Sequence, residues 1–159
     1  MTSKRAAVGL VVWISVCYAA AAIGSASTTR SVAEWYPTLA RPAWTPPNAI
    51  FGPVWSVLYL LMAIAAWLVW RQGGFRAQRG PLALFVAQLA LNIAWSIIFF
   101  GLRRPGLAFA EIVVLWALIL ATTIAFWRVR PLAGWLLVPY LAWVSFASAL
   151  NFALWRLNP

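Results

Sequence analysis

The residues best able to do chemistry in this chain are tryptophans, tyrosines and side-chain amides that recur at helical spacing within long apolar segments. Trp55 and Tyr59 lie four residues apart, and so do Gln88 and Asn92, so each pair shares one face of a helix. An amide or an indole N–H inside an apolar segment needs a polar partner, so these faces should point inward. Convergent faces of this kind predict either a hydrogen-bonded helix contact or a ligand pocket.

Three segments carry such faces, and together they provide the first candidate ligand-binding residues. These are Trp55, Tyr59, Gln88, Asn92, Trp95, Phe99, Trp143, Ala147 and Leu150. In a purely structural role, the amides would join helices at about 0.6 kcal/mol per hydrogen bond, and the aromatic side chains would fill the core. In a functional role, aromatic walls with a few amides would form a pocket for a large, flat, apolar ligand. The small Ala147, one turn from Trp143, would leave space for that ligand.

A stiff aromatic segment, residues 35–47, precedes the first of these faces. It includes Trp35, Tyr36 and Trp44 together with four prolines, and each proline removes a backbone donor and disfavours helix at the residue before it. We expect an ordered loop over about residues 25–48 that covers one end of a helix bundle. Such a lid favours the pocket, because a packed core needs no lid, and it adds Tyr36 and Trp44 to the candidate ligand-binding residues.

The composition places the chain in a membrane. Of the 159 residues, 65% are hydrophobic and 9% are charged, against about 45–50% and 25% in soluble domains. Five apolar segments are long enough to span a hydrocarbon core of about 30 Å. They cover about residues 6–24, 49–70, 82–100, 106–127 and 132–154. The sequence therefore predicts one all-α integral membrane domain, residues 1–159, built as a five-transmembrane-helix bundle.

The formal net charge of +10 comes from basic residues spread singly and in pairs at the ends of the apolar segments. This distribution is typical of headgroup anchors, so we expect a lipid bilayer and no nucleic acid as a partner. The twelve basic residues divide into seven at the end that holds the N-terminus and five at the other end. That difference favours an N-terminus inside the cell. The short loops and the lack of targeting features favour a bacterial cell membrane.

The chain has no histidine and only two acidic residues, Glu34 and Glu111, so neither a metal site nor a pair of catalytic carboxylates is expected. Most hydrolases are thereby excluded. Glu111 lies near the start of the fourth segment, where a helix dipole favours a carboxylate. We expect it to form an ion pair with Arg103 or Arg104.

Three runs of residues resemble the TspO/MBR family, which comprises tryptophan-rich sensory proteins and the translocator protein, once called the peripheral benzodiazepine receptor. The first run is Trp35-Tyr36, Leu39, Arg41-Pro42 and Trp44-Thr45-Pro46-Pro47, followed by Gly52-Pro53-Val54-Trp55. The second is Gln88-Leu89-Ala90-Leu91-Asn92, Trp95 and Phe99-Phe100-Gly101. The third is Pro139-Tyr140-Leu141-Ala142-Trp143, Leu150-Asn151-Phe152 and Trp155-Arg156. The motifs agree in order over nearly the whole chain.

The resemblance implies a five-helix membrane protein, usually a homodimer, that needs no cofactor and binds porphyrins such as protoporphyrin IX, sterols and aromatic drugs of the benzodiazepine type. By this resemblance the pocket residues are Tyr36, Trp55, Asn92, Trp95, Trp143, Ala147 and Leu150. Trp55 and Trp143 resemble the tryptophans implicated in light-dependent porphyrin breakdown. Leu150, Phe152 and Arg156 occupy the positions of a cholesterol-recognition pattern, in which phenylalanine replaces the usual tyrosine.

Three functions compete on these grounds. A receptor or transporter for tetrapyrroles would use the lidded aromatic pocket for reversible binding. An enzyme that degrades porphyrin with light and oxygen would use Trp55 and Trp143 as electron donors. A structural membrane subunit would use its tryptophans only as anchors and would bind no ligand.

Overall fold

The computed structural model describes residues 3–159, and the regular elements among them are all helical. Met1 and Thr2, which the predicted domain includes, lie outside the described residues. The α-helices are α1 (Ser3–Glu34), α2 (Asn48–Trp70), α3 (Gly74–Ala77), α4 (Arg79–Ser96), α5 (Pro105–Val129) and α6 (Pro131–Leu157). All but α3 are long and apolar enough to cross a membrane, with α4 continued to Gly101. The predicted all-α fold with five spanning helices is confirmed.

The first helix continues well beyond the apolar segment that predicted it. It ends at Glu34 instead of Gly24, so the prediction of a loop was wrong for residues 25–34. The hydroxyls of Thr28 and Thr29 each donate a 2.8 Å hydrogen bond to the carbonyl four residues earlier, which keeps these polar residues compatible with a helix. The helix ends only as the chain approaches Pro37, because a proline disfavours helical geometry at the residue before it.

The ordered loop that remains, residues 35–47, lies over the end of the bundle where α1 ends and α2 begins. Tyr36–Thr38 form a single 3₁₀ turn. Asn158, just after α6, holds the middle of the loop through two 3.0 Å hydrogen bonds: its Nδ2 donates to the carbonyl of Ala40, and the Ala40 N–H donates to its Oδ1. The predicted Pro/Trp-rich loop is therefore present and ordered, over a shorter range.

Prolines mark the starts of α5 and α6. Pro105 and Pro131 stand in the first turn, and the preceding Arg104 and Arg130 are non-helical, with ψ of 80° and 113°. Helix α4 ends in a wider π turn, Ile97–Gly101. The four later spans differ from the predicted boundaries by up to three residues. Hydropathy marks the apolar part of a helix, whereas the hydrogen-bonded helix continues into the interfacial region.

The densest packing lies at the end of the bundle where α2 ends and α4 begins. Phe85 of α4 stacks on Phe126 of α5 with ring centres 5.7 Å apart, and both are fully buried. A Cβ added at Gly134 of α6 would lie 2.8 Å from Cβ of Trp127, so glycine allows α5 and α6 to approach closely. Much of the main core therefore lies at this end of the bundle.

Candidate ligand-binding cavity

A cavity of about 480 Å³ lies under the loop, enclosed by α1, α2, α4 and α6. Its volume falls within the range of roughly 300–1,000 Å³ that is usual for small-molecule sites. Most of the predicted ligand-binding residues line it. These are Tyr36, Trp55, Tyr59, Asn92, Trp95, Phe99, Trp143, Ala147 and Leu150. The faces predicted from helical spacing, together with the loop residue Tyr36, therefore converge on one space.

Two predicted ligand-binding residues, Trp44 and Gln88, do not line the cavity. Trp44 is half exposed and packs edge-on against Phe146, with ring centres 5.8 Å apart, so it belongs to the outer surface of the loop. Gln88 is buried one helical turn further from the loop than Asn92, and its Oε1 accepts a hydrogen bond from Tyr140, which does not line the cavity either. Helical spacing places Gln88 on the correct face, but it does not show how deep the cavity reaches.

The amide of Asn92 at the cavity floor is occupied by bonds between helices. The Tyr59 hydroxyl donates to Oδ1 of Asn92 at 2.7 Å, and Nδ2 of Asn92 donates to the Tyr140 hydroxyl at 2.9 Å. That hydroxyl donates in turn to Oε1 of Gln88 at 2.8 Å. This chain of hydrogen bonds joins α2, α4 and α6 and forms the boundary between the cavity and the packed core.

A second amide joins α4, α5 and α6 higher on the cavity wall. The indole N–H of Trp95 donates to Oδ1 of Asn151 at 3.0 Å, and Nδ2 of Asn151 donates to the carbonyl of Pro105 at 2.8 Å. The sequence left open whether amides join helices or line a pocket. In the structure, Asn92 and Asn151 do both, because they line the cavity while their polar atoms bond to neighbouring helices.

Three other aromatic donors of the cavity are unpaired, whereas the hydroxyl of Tyr18 donates to the carbonyl of Ser56 at 2.9 Å. Neither the indole N–H of Trp55 nor that of Trp143 donates a hydrogen bond within residues 3–159, and the hydroxyl of Tyr36 also has no partner there. Trp55 contacts the ring of Tyr59 with centres 5.6 Å apart, and Trp143 contacts Phe51 edge-on at 5.8 Å. The two indoles are thus fixed by ring contacts while their N–H groups stay free for a ligand.

Sequence reasoning missed the wall that α1 contributes. Ala21, Gly24, Ser25 and Thr28 line the cavity, and a Cβ added at Gly24 would lie 3.3 Å from Oγ of Ser96 on α4. The sequence signal in this helix is a pair of small residues, Ala20 and Gly24, whose spacing permits close helix contact and does not by itself indicate a pocket. Predicting the end of α1 too early also hid Ser25 and Thr28.

The residues of the sterol-recognition pattern do not gather at the cavity. Leu150 lines it, but the Phe152 side chain is 45% exposed and contacts Phe109 with ring centres 5.1 Å apart. Arg156 is also exposed. The three residues lie on more than one side of α6, so the pattern does not describe a single contact surface inside the protein.

Glu111 differs from its prediction as well. Both of its carboxyl oxygens are buried, and neither has a hydrogen-bond partner within the described residues. The Arg103 guanidinium lies instead 6.0 Å from the ring centre of Trp35 in the loop. The predicted ion pair was therefore wrong, because the turn before α5 directs Arg103 towards the loop and Glu111 lies almost two helical turns further along.

A positive charge lies next to the Tyr36 ring at the roof of the cavity. The guanidinium carbon of Arg41 lies 5.5 Å from the ring centre of Tyr36, which is itself buried and lines the cavity. Burial raises the pKa of the Tyr36 hydroxyl above its ordinary value, and the nearby Arg41 guanidinium partly opposes that effect. Tyr36 therefore stays protonated near neutral pH and is able to donate a hydrogen bond.

Five apolar spanning helices around an aromatic cavity define a multi-pass integral membrane protein of the receptor-like or transporter-like class. The chain belongs to the TspO/MBR family, whose sequence profile matches residues 13–156. It is 44% identical over 138 residues to the translocator protein of Homo sapiens, covering 86% of this chain and 82% of that one. It is 42% identical over 151 residues to the tryptophan-rich protein TspO of Chlorobaculum tepidum, covering 94% and 96%.

Protein CrtK of Rhodobacter capsulatus is a third relative, 41% identical over 145 residues, which cover 89% of each chain. The relatives therefore come from bacteria and from an animal, and they match this chain over most of their length. The resemblance predicted from the sequence motifs is confirmed.

Proposed function

We propose that the cavity binds porphyrins, such as protoporphyrin IX and heme-type tetrapyrroles, and that the protein acts as a membrane receptor or transporter for them. The observation that carries this proposal is the pair of indoles, Trp55 and Trp143, which line one apolar cavity with unpaired N–H groups. Flat apolar molecules such as sterols or benzodiazepine-type drugs share the shape that such walls accept. The porphyrin is a ligand in this proposal, and no resident cofactor is required.

Tryptophan fluorescence quenching by protoporphyrin IX tests the proposal in detergent or in nanodiscs. We expect saturable quenching, and we expect Ala147→Leu to raise the dissociation constant at least about tenfold, or about 1.4 kcal/mol, because the larger side chain enters the cavity. Ala149→Leu is the matched control, since Ala149 lies on the same helix but is exposed on its outer side. Unsaturable quenching, or equal affinity in both variants, would contradict a ligand site in this cavity.

Light-dependent porphyrin degradation is a second candidate function, favoured by the same two indoles. Trp55 and Trp143 both line the cavity and could donate electrons to a light-excited porphyrin in the presence of oxygen. We expect illumination of the complex to consume porphyrin faster than illumination of porphyrin alone, and Trp143→Phe to slow the reaction. Equal rates with and without protein would remove this candidate and leave reversible binding. A purely structural subunit, in contrast, predicts no saturable binding at all.

We further propose that the N-terminus lies inside a bacterial cell and that the loop faces outward. Ala43 in the loop and Ala77 in α3 are exposed at opposite ends of the bundle, and the native Cys17 is buried. A membrane-impermeant maleimide applied to intact cells should therefore label Ala43→Cys and spare Ala77→Cys. The reverse labelling pattern would show that the orientation is opposite to the proposed one.

We also expect a homodimer, which light scattering in detergent would detect as twice the protomer mass.

A further inference from the structure

An open groove of about 560 Å³ lies at the end of the bundle where α2 ends and α4 begins, opposite to the loop. This α3 groove is lined by Phe75, Arg76, Arg79, Leu82, Ala83 and Val86. The last four residues are spaced i, i+3, i+4 and i+7, so they share one face of α4. At 1.5 Å per residue, the groove runs along α4 for about 10 Å.

Most of the α3 groove is apolar. Leu82 is only 1% exposed, whereas Phe75 and Val86 keep more than half or half of their surface exposed. The ring of Phe75 contacts Trp13 of α1 with centres 5.8 Å apart, which fixes one side of the groove. Because α4 is long and apolar enough to cross a membrane, its exposed face meets lipid. An acyl chain therefore fits the apolar part of the groove.

Two arginines, Arg76 and Arg79, supply the polar part of the groove. Both are exposed, and neither has a carboxylate partner within residues 3–159. The acidic residues of the chain lie in the half of the bundle next to the loop, Glu34 at the end of α1 and Glu111 within the first two turns of α5. Seven basic residues lie at the end that holds the groove, and they are Lys4, Arg5, Arg71, Arg76, Arg79, Arg128 and Arg130. This end therefore attracts anions, and the protein itself provides none there.

A glycine turn positions the two arginines beside the apolar face of α4. Gly73 and Gly74 have φ of 111° and 73°, a left-handed geometry that glycine adopts without strain. A Cβ added at Gly73 would lie 2.6 Å from Cβ of Ala77, so a larger residue does not fit there. The Nε2 of Gln78 donates a 3.0 Å hydrogen bond to the carbonyl of Gln72 across the turn. The backbone that carries the arginines is thus a defined turn, which places both side chains at one end of the groove.

We infer that the α3 groove binds an anionic phospholipid, with the phosphate at Arg76 and Arg79 and one acyl chain along α4 towards Val86. A guanidinium pairs with phosphate oxygens through two parallel N–H donors, and each basic residue near the membrane surface favours an anionic lipid by about fivefold. A zwitterionic headgroup carries its own cation beside the phosphate, so it compensates the two arginines less well. The groove lies at the opposite end of the bundle from the porphyrin cavity, so the lipid site does not depend on the proposed function.

Native mass spectrometry of the full chain released from detergent tests this site by comparing phosphatidylglycerol with phosphatidylcholine of the same acyl chains. We expect the wild type to bind the first phosphatidylglycerol at least about tenfold more tightly than the first phosphatidylcholine. Arg76→Gln/Arg79→Gln should remove most of this preference and leave the weaker binding of phosphatidylcholine nearly unchanged. Arg76→Lys/Arg79→Lys, which keeps both charges, should retain most of it.

Arg128→Gln/Arg130→Gln is the matched control, because it removes the same charge from the same end of the bundle and lies outside the groove. We expect this control to keep the preference for phosphatidylglycerol. Equal affinity of the wild type for the two lipids would overturn the proposed lipid site. An equal effect of the control pair would also overturn it, because the preference would then reflect the overall charge of this end.

The apolar part of the groove is tested by Ala83→Leu, since Ala83 is exposed and lines it. The larger side chain should fill part of the groove and weaken the binding of both lipids. The same spectra report the fractions of monomer and dimer. If Ala83→Leu lowered the fraction of dimer and left lipid binding unchanged, the groove would be an interface between two copies of the chain, and the lipid site would be wrong.

Discussion

At the end of the bundle where α2 ends and α4 begins, the helices pack closely around a buried apolar core, whereas at the loop end the same helices enclose about 480 Å³. In the packed end, Met62, Ala63 and Ala66 of α2 have no exposed surface. In the hollow end, Trp55 and Trp143 are only partly buried, because one side of each faces the cavity. The two ends are built from neighbouring turns of the same helices.

The difference lies in side-chain size and in hydrogen bonding. Small residues let backbones approach, as at Gly134, where an added Cβ would lie 2.9 Å from Cα of Trp127. Towards the loop, rigid aromatic side chains pack against one another and hold the helices apart, and the Tyr59–Asn92–Tyr140–Gln88 chain of hydrogen bonds separates the two ends. Stability should therefore depend mainly on one end, and ligand binding on the other.

The largest effect should follow truncation in the packed end. Phe85→Ala removes a fully buried ring that stacks on Phe126 and contacts Trp13 edge-on, with ring centres 5.7 and 5.6 Å away. We expect a loss of about 3–5 kcal/mol in the free energy of unfolding, because the surrounding rings cannot collapse into the space. Unfolding in detergent micelles measures this loss.

Val86→Ala is the control for this prediction, because Val86 follows directly in α4 and is 50% exposed. We expect its effect to be small. If the two truncations lowered stability equally, the packed end would not be the main source of stability, and the contrast between the two ends would fail.

Much of this contrast was predictable from residue types and spacing. Apolar length indicated the five spans, and prolines at positions 105 and 131 indicated where helices begin. Helical spacing placed Trp55 beside Tyr59 and Trp143 beside Ala147 on inward faces. The loop with its aromatic residues indicated which end would be covered.

Helical spacing could not show how deep the cavity reaches or which side chains from different helices contact each other. Gln88 and Asn92 share a face, yet only Asn92 reaches the cavity, and Gln88 lies deeper, where it bonds to Tyr140 of α6. The sequence predicts that Trp44 contacts the ligand from the lid, yet Trp44 is half exposed and packs against Phe146. Both outcomes depend on a side chain from a helix distant in sequence, and local periodicity carries no information about it.

A smaller loss of stability is expected from a substitution at the boundary between the packed end and the loop end. Asn92→Leu keeps the side-chain volume nearly constant but removes the bonds to Tyr59 and Tyr140. We expect a loss of about 1–3 kcal/mol in unfolding free energy, because two buried hydroxyls lose a partner. Porphyrin affinity of the folded protein should change much less, since the polar atoms of Asn92 already bond within the protein. A large loss of affinity at unchanged stability would show that Asn92 binds the ligand directly. The chain of hydrogen bonds at the boundary would then be part of the binding site.

The smallest predicted effect is a change in the rate of ligand dissociation from the hollow end, where Asn158 holds the loop. Its side chain exchanges two 3.0 Å hydrogen bonds with the backbone of Ala40 and donates a third, at 2.9 Å, to the carbonyl of Leu154. Asn158→Ala should leave unfolding nearly unchanged, because no core contact is lost. We expect faster porphyrin dissociation in stopped-flow displacement, by about 2–10-fold, which corresponds to the roughly 0.5–1.5 kcal/mol of an ordinary hydrogen bond. Asn158→Asp, which keeps the acceptor for the Ala40 N–H and loses the donor, should fall between Asn158→Ala and the wild type. Identical dissociation rates in all three proteins would mean that the loop does not retain the ligand, and the cavity would then exchange its contents by another route.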